Sequence, residues 1–337
     1  MSQLPPTRFG RRRAGAVLVG LALAPTVLQA QTADPLPSWR AGPRKQALLD
    51  FVAAVTREGG PDFVPPSERI ATFDNDGTLW VEQPAYTQLI FVLDRIRALA
   101  PQNPDWQQDP VFRAAIAGDM RGAAAGGTEG LLKLVGAAQS GQTPDAFQQI
   151  AAEWLEGSRD RRWNRRYDEL VYHPMLEVLA FLRANGFLIF IVSGGGVEFI
   201  RAFAERVYGV PPHQVVGSTQ AIRPGEQDGR IVLTREPRVD FVDDGPGKPV
   251  GIARYIGRRP IAAFGNSDGD YQMLRYTTEA PGRRFALIVH HDDAEREYAY
   301  DRESHIGRLD RAMDEAPRRG WQLVSMKNDW AKVFPWA

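Results

Sequence analysis

One stretch constrains this chain more than any other: in Ile70-Ala71-Thr72-Phe73-Asp74-Asn75-Asp76-Gly77-Thr78-Leu79-Trp80 an apolar run stops abruptly at two carboxylates separated by one residue. The run predicts a buried strand. Two acids, a glycine and a threonine then place charge, a turn and a hydroxyl at the strand's carboxyl end, the edge of an open α/β sheet at which ligands bind.

A carboxylate in that position can attack phosphorus only when a cation offsets the repulsion between the two negative groups, and magnesium is the usual choice. Asp74 would be the nucleophile and carry an acyl phosphate that water then hydrolyses. Asp76 would give a proton to the leaving oxygen and later take one from the attacking water. Gly77 would let the chain turn away sharply, and the Thr78 hydroxyl would hold either the loop or the phosphate. Each acid also reads as a turn residue or helix cap, so the partners that follow decide between these readings.

The stretch Asp74-Asn75-Asp76-Gly77-Thr78-Leu79 resembles the first motif of the haloacid dehalogenase superfamily, whose members are mostly phosphatases. A second apolar strand, Phe187 to Val192, runs into Ser193-Gly194-Gly195-Gly196 and then an amphipathic helix from Val197 to Tyr208. This is similar to the superfamily's second motif: the Ser193 hydroxyl and the free N–H groups around Gly194 and Gly195 make an anion site. Lys248, one of five lysines, opens a helix that is expected to run through Tyr255, and resembles the third motif. An ammonium there would neutralise the nucleophile and the transferring phosphoryl group.

A third strand, Ile261 to Phe264, leads into Gly265-Asn266-Ser267-Asp268-Gly269-Asp270, similar to the fourth motif, which supplies magnesium ligands. The chain departs from the pattern here. Asn266 stands where the motif has its first acid, and an amide oxygen can ligate magnesium but brings no charge. Either Asn266 or Asp268 would be the inner ligand, with Asp74, Asp76 and Asp270 completing the metal set that the resemblance implies.

Around these motifs the resemblance implies an α/β fold, a Rossmann-like parallel sheet with helices on both faces, and an all-helical cap inserted after the first strand. The expected division is residues 31–80 and 186–337 for the core and 81–185 for the cap. Helices are predicted over Lys45 to Arg57, Tyr86 to Leu99, Val111 to Ala117, Thr128 to Ala138, Pro144 to Glu156 and Pro174 to Asn185. Val215 to Ser218 and Gly229 to Leu233 read as strands flanking a turn-rich loop, and Phe285 to Val289 as a further core strand. His290 and His291 after it are ordinary strand-end polarity, since adjacent side chains on a strand face opposite ways. The basic cluster Arg159 to Arg166 reads as solvated charge with acids nearby, or as a contact for an anionic substrate.

Residues 1–30 read as an export leader. Arg8 and Arg11-Arg12-Arg13 precede the apolar run Ala14 to Ala24, and Leu28-Gln29-Ala30 is a tolerable cleavage site. A periplasmic or secreted protein is expected, with the twin-arginine route open, and no stable membrane association after cleavage. Losing that segment removes four arginines and no acids, so 41 basic against 41 acidic residues becomes 37 against 41. With no basic surplus, nucleic acid is not an expected partner. With no cysteine, disulfides, a thiolate nucleophile and a cysteine zinc site are excluded.

The expected activity is therefore magnesium-dependent hydrolysis of a small phosphomonoester. Two other readings stay open: a catalytically silent binding protein, because Asn266 weakens the metal site, and a haloacid dehalogenase, although those relatives generally lack the second acid that Asp76 supplies.

Overall fold

In the computed structural model the first strand, β1 (Ile70–Phe73), is wholly buried and lies at the centre of an eight-stranded sheet. The structure describes residues 1–3 and 34–337. The segment read as an export leader lies, from residue 4 onward, outside the described residues. Pro35–Ala337 makes one compact unit. Among the described residues no helix is long and apolar enough to cross a membrane.

In chain order that unit comprises α1 (Pro43–Thr56), β1, a helical stretch of α2 (Thr87–Leu99), α3 (Pro110–Ala117), α4 (Met120–Ala124), α5 (Gly127–Gln139) and α6 (Pro144–Gly157), then α7 (His173–Ala184), β2 (Leu188–Gly196) and α8 (Val197–Tyr208). A ribbon follows, β3 (Val215–Gln227) and β4 (Arg230–Phe241), and then α9 (Gly247–Gly251), β5 (Ala262–Gly265) and α10 (Tyr271–Thr278). The chain closes with β6 (Phe285–Asp292), β7 (Ala299–Tyr300), α11 (Arg311–Arg319), β8 (Gln322–Ser325) and α12 (Met326–Asp329).

The sheet order is β4-β3-β2-β1-β5-β6-β7, with β8 also on β6. The strands β3, β2, β1, β5, β6 and β8 run parallel, as near-continuous apolar strands covered on both faces do. Register places Phe73 between Ile191 of β2 and Phe264 of β5, and the Phe73 and Phe264 rings stack at 4.2 Å. The chain leaves β1 toward β2 and β3 and returns on the other side through β5. The carboxyl end of β1 is thus a topological switch point, where a crevice opens.

The expected α/β fold with helices about a parallel sheet is the observed one. The helices between β1 and β2 are fastened to the core by aromatic rings. Phe91 of α2 meets Phe147 and Trp154 of α6 and Phe199 of α8, and Trp80 stacks on Phe203 at 4.5 Å. Asp109 caps α3 by accepting from the Val111 and Phe112 amides, and its second oxygen takes Lys133 of α5.

Three expectations need correcting. The excursion after α8 is not a loop between short strands but a ribbon reaching from Val215 to Phe241, closed by Asp228 and Gly229, both at positive φ (53° and 72°). That is the backbone of a tight primed hairpin turn. Pro224, Gly225 and many charges break the apolar alternation by which a strand is read, and cross-strand pairing from Thr219 to Gln227 holds the ribbon instead. The α-helix at Lys248 ends at Gly251 and continues as a wider π turn, Ile252–Ile256. The strand before the two histidines extends through them to Asp292, because His291 packs inward, 2 % exposed.

The ribbon is joined to the inserted helices. Arg235 N–H donates to the Gln142 carbonyl and Gly141 N–H to the Arg235 carbonyl, both at 2.9 Å. A Cβ on Gly136 of α5 would lie 2.5 Å from the Pro237 carbonyl oxygen, so helix and ribbon touch backbone to backbone. Gly136→Val must push the two apart and is expected to cost about 1–3 kcal/mol of stability. Urea denaturation checks this, and an unchanged midpoint would mean that the contact is not maintained in solution.

Candidate active site

At the carboxyl end of β1 the chain turns back on itself. The Asn75 carbonyl accepts from the amides of Thr78, Leu79 and Trp80, and Gly77 N–H donates to the Trp80 carbonyl. Tyr208 of α8 donates to Asn75 Oδ1 at 3.1 Å, and His291 Nε2 lies 2.8 Å from the Gly77 carbonyl with Nδ1 3.0 Å from Glu297. The expected strand-end histidine is therefore a strut under the loop. Gly77 has φ +73°, and a Cβ there would come within 2.1 Å of Asn266 Nδ2 and 2.4 Å of Glu82 Oε1. Only glycine meets both demands.

Lys248, 2 % exposed, spends its three protons on Asp74 Oδ1 (2.6 Å), Asp270 Oδ1 (2.7 Å) and the Val192 carbonyl (2.9 Å). Burial works against its charge, but Asp270 and Asp74 outweigh it and raise the ammonium's pKa above the usual lysine range. Burial, with the charge of Asp270, raises the Asp74 carboxyl well above the ordinary range despite Lys248. Burial also raises Asp76, although Trp80 Nε1–H donates to its Oδ1 at 2.9 Å.

These groups line a cavity of about 320 Å³. Asp74, Asp76, Glu82, Asp244 and Lys248 lie along it together with Ser193, Gly194 and Gly195; Leu89, Val92, Leu131 and Val135 of α2 and α5 form apolar wall, and the ribbon contributes Arg235 and Val239. Ser193 Oγ accepts from the Gly195 amide at 3.1 Å, and the Gly196 amide donates to Gln88 of α2 at 2.7 Å.

Of the residues singled out in the sequence, Asp74, Asp76, Lys248, Ser193, Gly194 and Gly195 are brought together on this cavity. Four others are placed behind it or away from it. The Thr78 hydroxyl, fully buried, donates to Asn266 Oδ1 at 3.1 Å and so holds the loop. Asp270 uses Oδ1 on Lys248 and Oδ2 on the amides of Asn266 and Ser267 (2.9 and 3.1 Å), which makes it a support for the ammonium. Asp268 points the other way and accepts from the amides of Asp310, Arg311 and Ala312 at the start of α11, a site that favours a carboxylate. Asn266 donates from Nδ2 to Glu82 Oε1 at 2.6 Å.

Glu82 is the residue that sequence reasoning missed. It is 1 % exposed, faces the cavity, and accepts from Asn266 and from the Tyr300 hydroxyl at 2.8 Å. Burial raises its carboxyl well above the ordinary range, and Asp76 and Asp74 add to the effect. The available signal was Asn266 itself, since a motif that has lost one acid leaves room for another nearby. The basic cluster is likewise turned to structural use: Arg162 donates to the Ala294 and Glu295 carbonyls and lies over Trp163 and Tyr298, Arg165 lies over Trp336, and Arg166 pairs with Asp168.

Asp243, fully buried in the turn that precedes α9, has its carboxyl pushed up to about 8 by burial, in spite of Lys248. A carboxyl raised above its unfolded pKa binds more protons folded than unfolded, so its contribution to stability is lost as pH rises from about 4 to about 8. The melting-temperature advantage of Asp243→Asn over the natural protein should grow over that window and level off above it. A difference independent of pH would contradict the assignment.

A family model described as haloacid dehalogenase-like hydrolase matches residues 71–275, more than half of the chain. No curated protein matches it in sequence. Among solved structures, a conserved functionally unknown protein from Anaerococcus prevotii DSM 20548 superposes with a TM-score of 0.53 at 16 % identity, covering 83 % of this chain and 91 % of that one, which shows a shared fold. A protein of unknown function from Bordetella pertussis Tohama I gives 0.46 at 16 % identity over 76 % and 98 % of the two chains. A phosphoserine phosphohydrolase-like protein from Francisella tularensis subsp. tularensis SCHU S4 gives 0.38 at 18 % identity over 74 % and 98 %. With the family model spanning β1 to α10 and the motif residues meeting at one sheet edge, this chain belongs to the haloacid dehalogenase-like hydrolases.

Proposed function

We propose that the protein is a magnesium-dependent phosphatase of small phosphomonoesters that works through an aspartyl phosphate on Asp74. The observation that carries this reading is the Lys248 ammonium, 2.6 Å from Asp74 Oδ1 at the end of β1, with Asp76 and Ser193 on the same cavity.

Asp74 attacks phosphorus, and Lys248 balances the charge that builds between carboxylate and phosphoryl group. Ser193 and the backbone at Gly194 and Gly195 hold the phosphoryl oxygens. Asp76, whose pKa burial raises, holds a proton for the leaving oxygen and takes one back from water in the second step. Trp80 fixes the direction of that carboxyl through Oδ1.

The donor set fits a small hard cation. Four carboxylates line the cavity, Asp74, Asp76, Glu82 and Asp244, against two cations, Lys248 and Arg235. All the available donors are oxygen, as magnesium prefers. Among the described residues no group of three His, Asp or Glu side chains is arranged to hold a metal; magnesium keeps several waters and commonly takes only one or two carboxylates. Asp74 and Asp76 would hold it, and Glu82, anchored by Asn266, would bring the negative charge that Asn266 lacks. When bound, the cation offsets the repulsion between carboxylate and phosphate and favours the ionised form of Asp74.

Two other readings have less behind them. A dehalogenase needs no acid at Asp76. A silent binding protein rests on Asn266 alone, and Glu82 offsets that loss. Export through the arginine-rich leader belongs to the proposal and rests on the sequence of residues 1–30.

Phosphate release from p-nitrophenyl phosphate tests the reading. Release is expected with magnesium, should stop on chelation and return when magnesium is restored, and release indifferent to chelation would contradict it. Glu82→Gln should weaken magnesium binding, measured by calorimetric titration, by on the order of tenfold or more. An unchanged affinity would remove Glu82 from the metal set.

A further inference from the structure

Among the groups that line the cavity, one cation has no direct carboxylate partner among the described residues. Arg235 of β4 is 5 % exposed. Its Nε donates to Gln220 Oε1 at 2.9 Å, and its Nη2 to Gln220 Oε1 at 2.6 Å and Gln139 Oε1 at 2.7 Å. The guanidinium lies 4.5 Å from the centre of the Phe147 ring. Both amides are neutral, and Glu198, the acid whose charge reaches it, is itself paired with Arg201 at 3.0 Å. Burial lowers the Arg235 pKa to about 10, so the group remains a cation at neutral pH.

A buried guanidinium satisfied only by neutral amides has given up hydration without gaining a counter-charge. If its work were solely to tie the ribbon to α5 and α6, a neutral side chain of similar shape would do so at lower cost. Arg235 lines the cavity, and its planar fork suits an oxyanion. The same cavity has apolar wall in Leu89, Val92, Val135 and Val239.

We propose that Arg235 forms a second anion subsite, and that the preferred substrates are small phosphomonoesters whose body carries a further oxyanion, a carboxylate or second phosphate, at the end remote from the reacting phosphorus. This deepens the phosphatase reading and rests on it. The two cations then select complementary features: Lys248, with Ser193, takes the phosphoryl group that is transferred, and Arg235 takes the group that is retained. Gln139 and Gln220 act as positioning residues that hold the fork open toward the cavity.

Matched pairs of substrates test this with the full-length enzyme and magnesium. One arm compares 3-phosphoglycerate with glycerol 3-phosphate, and the other compares fructose 1,6-bisphosphate with fructose 6-phosphate. In at least one arm the doubly anionic member should be favoured in kcat/KM by about tenfold or more, and the favoured arm identifies the oxyanion. Arg235→Met should erase that preference through KM, and Arg235→Lys should restore part of it. No preference in either arm, or an equal fall on both members of each pair in Arg235→Met, would overturn the subsite and leave Arg235 as a brace of the ribbon. If no ester is hydrolysed, the phosphatase reading fails on its own. The subsite is then judged by melting temperature: the doubly anionic ligand should raise it in the natural protein and not in Arg235→Met, and an equal shift in both, or none in either, would refute it.

Discussion

The rest of the site depends on a buried ammonium held between two carboxylates. Lys248 ties together three adjacent strands: Asp74 follows β1, the Val192 carbonyl belongs to β2, and Asp270 lies on the loop after β5. A charge taken this far from water is tolerable only when each of its protons has an acceptor, and here each does. Asp270 is in turn fixed by the Asn266 and Ser267 amides. The geometry around Asp74 is thus inherited from the sheet register, because strands that slipped by one residue would carry Asp74, Val192 and Asp270 out of reach of a single nitrogen.

Around that pair the electrostatics are deliberately uneven. Asp74, Asp76 and Glu82 are all raised by burial, a state in which negative charge is costly. In the proposed mechanism a bound cation would favour their ionised forms and offset the charge of an entering phosphoryl group. The loop that carries the two aspartates is held by hydrogen bonds from His291 and Tyr208 and, within it, from Trp80 to Asp76. Preorganisation of this kind lets the groups act without rearranging at the moment of reaction.

How much of this was legible depended on the distance over which each residue is positioned. Asp74, Asp76, Ser193 and Lys248 each sit at or just past a strand end or helix start, where apolar runs and turn residues announce the break, so local pattern sufficed. Asp268 looked equivalent to Asn266, but a helix start some forty residues later draws its carboxylate away. Glu82 carried no mark of its own, because its meaning comes from Asn266, 184 residues on. Arg235 likewise carries no mark in the sequence; the ribbon that bears it pairs with the loop after α5, and its side chain is buried there. Contacts of that separation leave no periodicity in a single sequence.

The proposed mechanism requires the Asp74 carboxylate to become phosphorylated, and acid-quenching the enzyme in the steady state with a labelled phosphomonoester would trap that species. The prediction is one labelled phosphoryl group, stable to acid and released by hydroxylamine as an acyl phosphate is, on the peptide containing Asp74 and lost in Asp74→Asn. Turnover with no trapped label, or label that persists in Asp74→Asn, would contradict the mechanism.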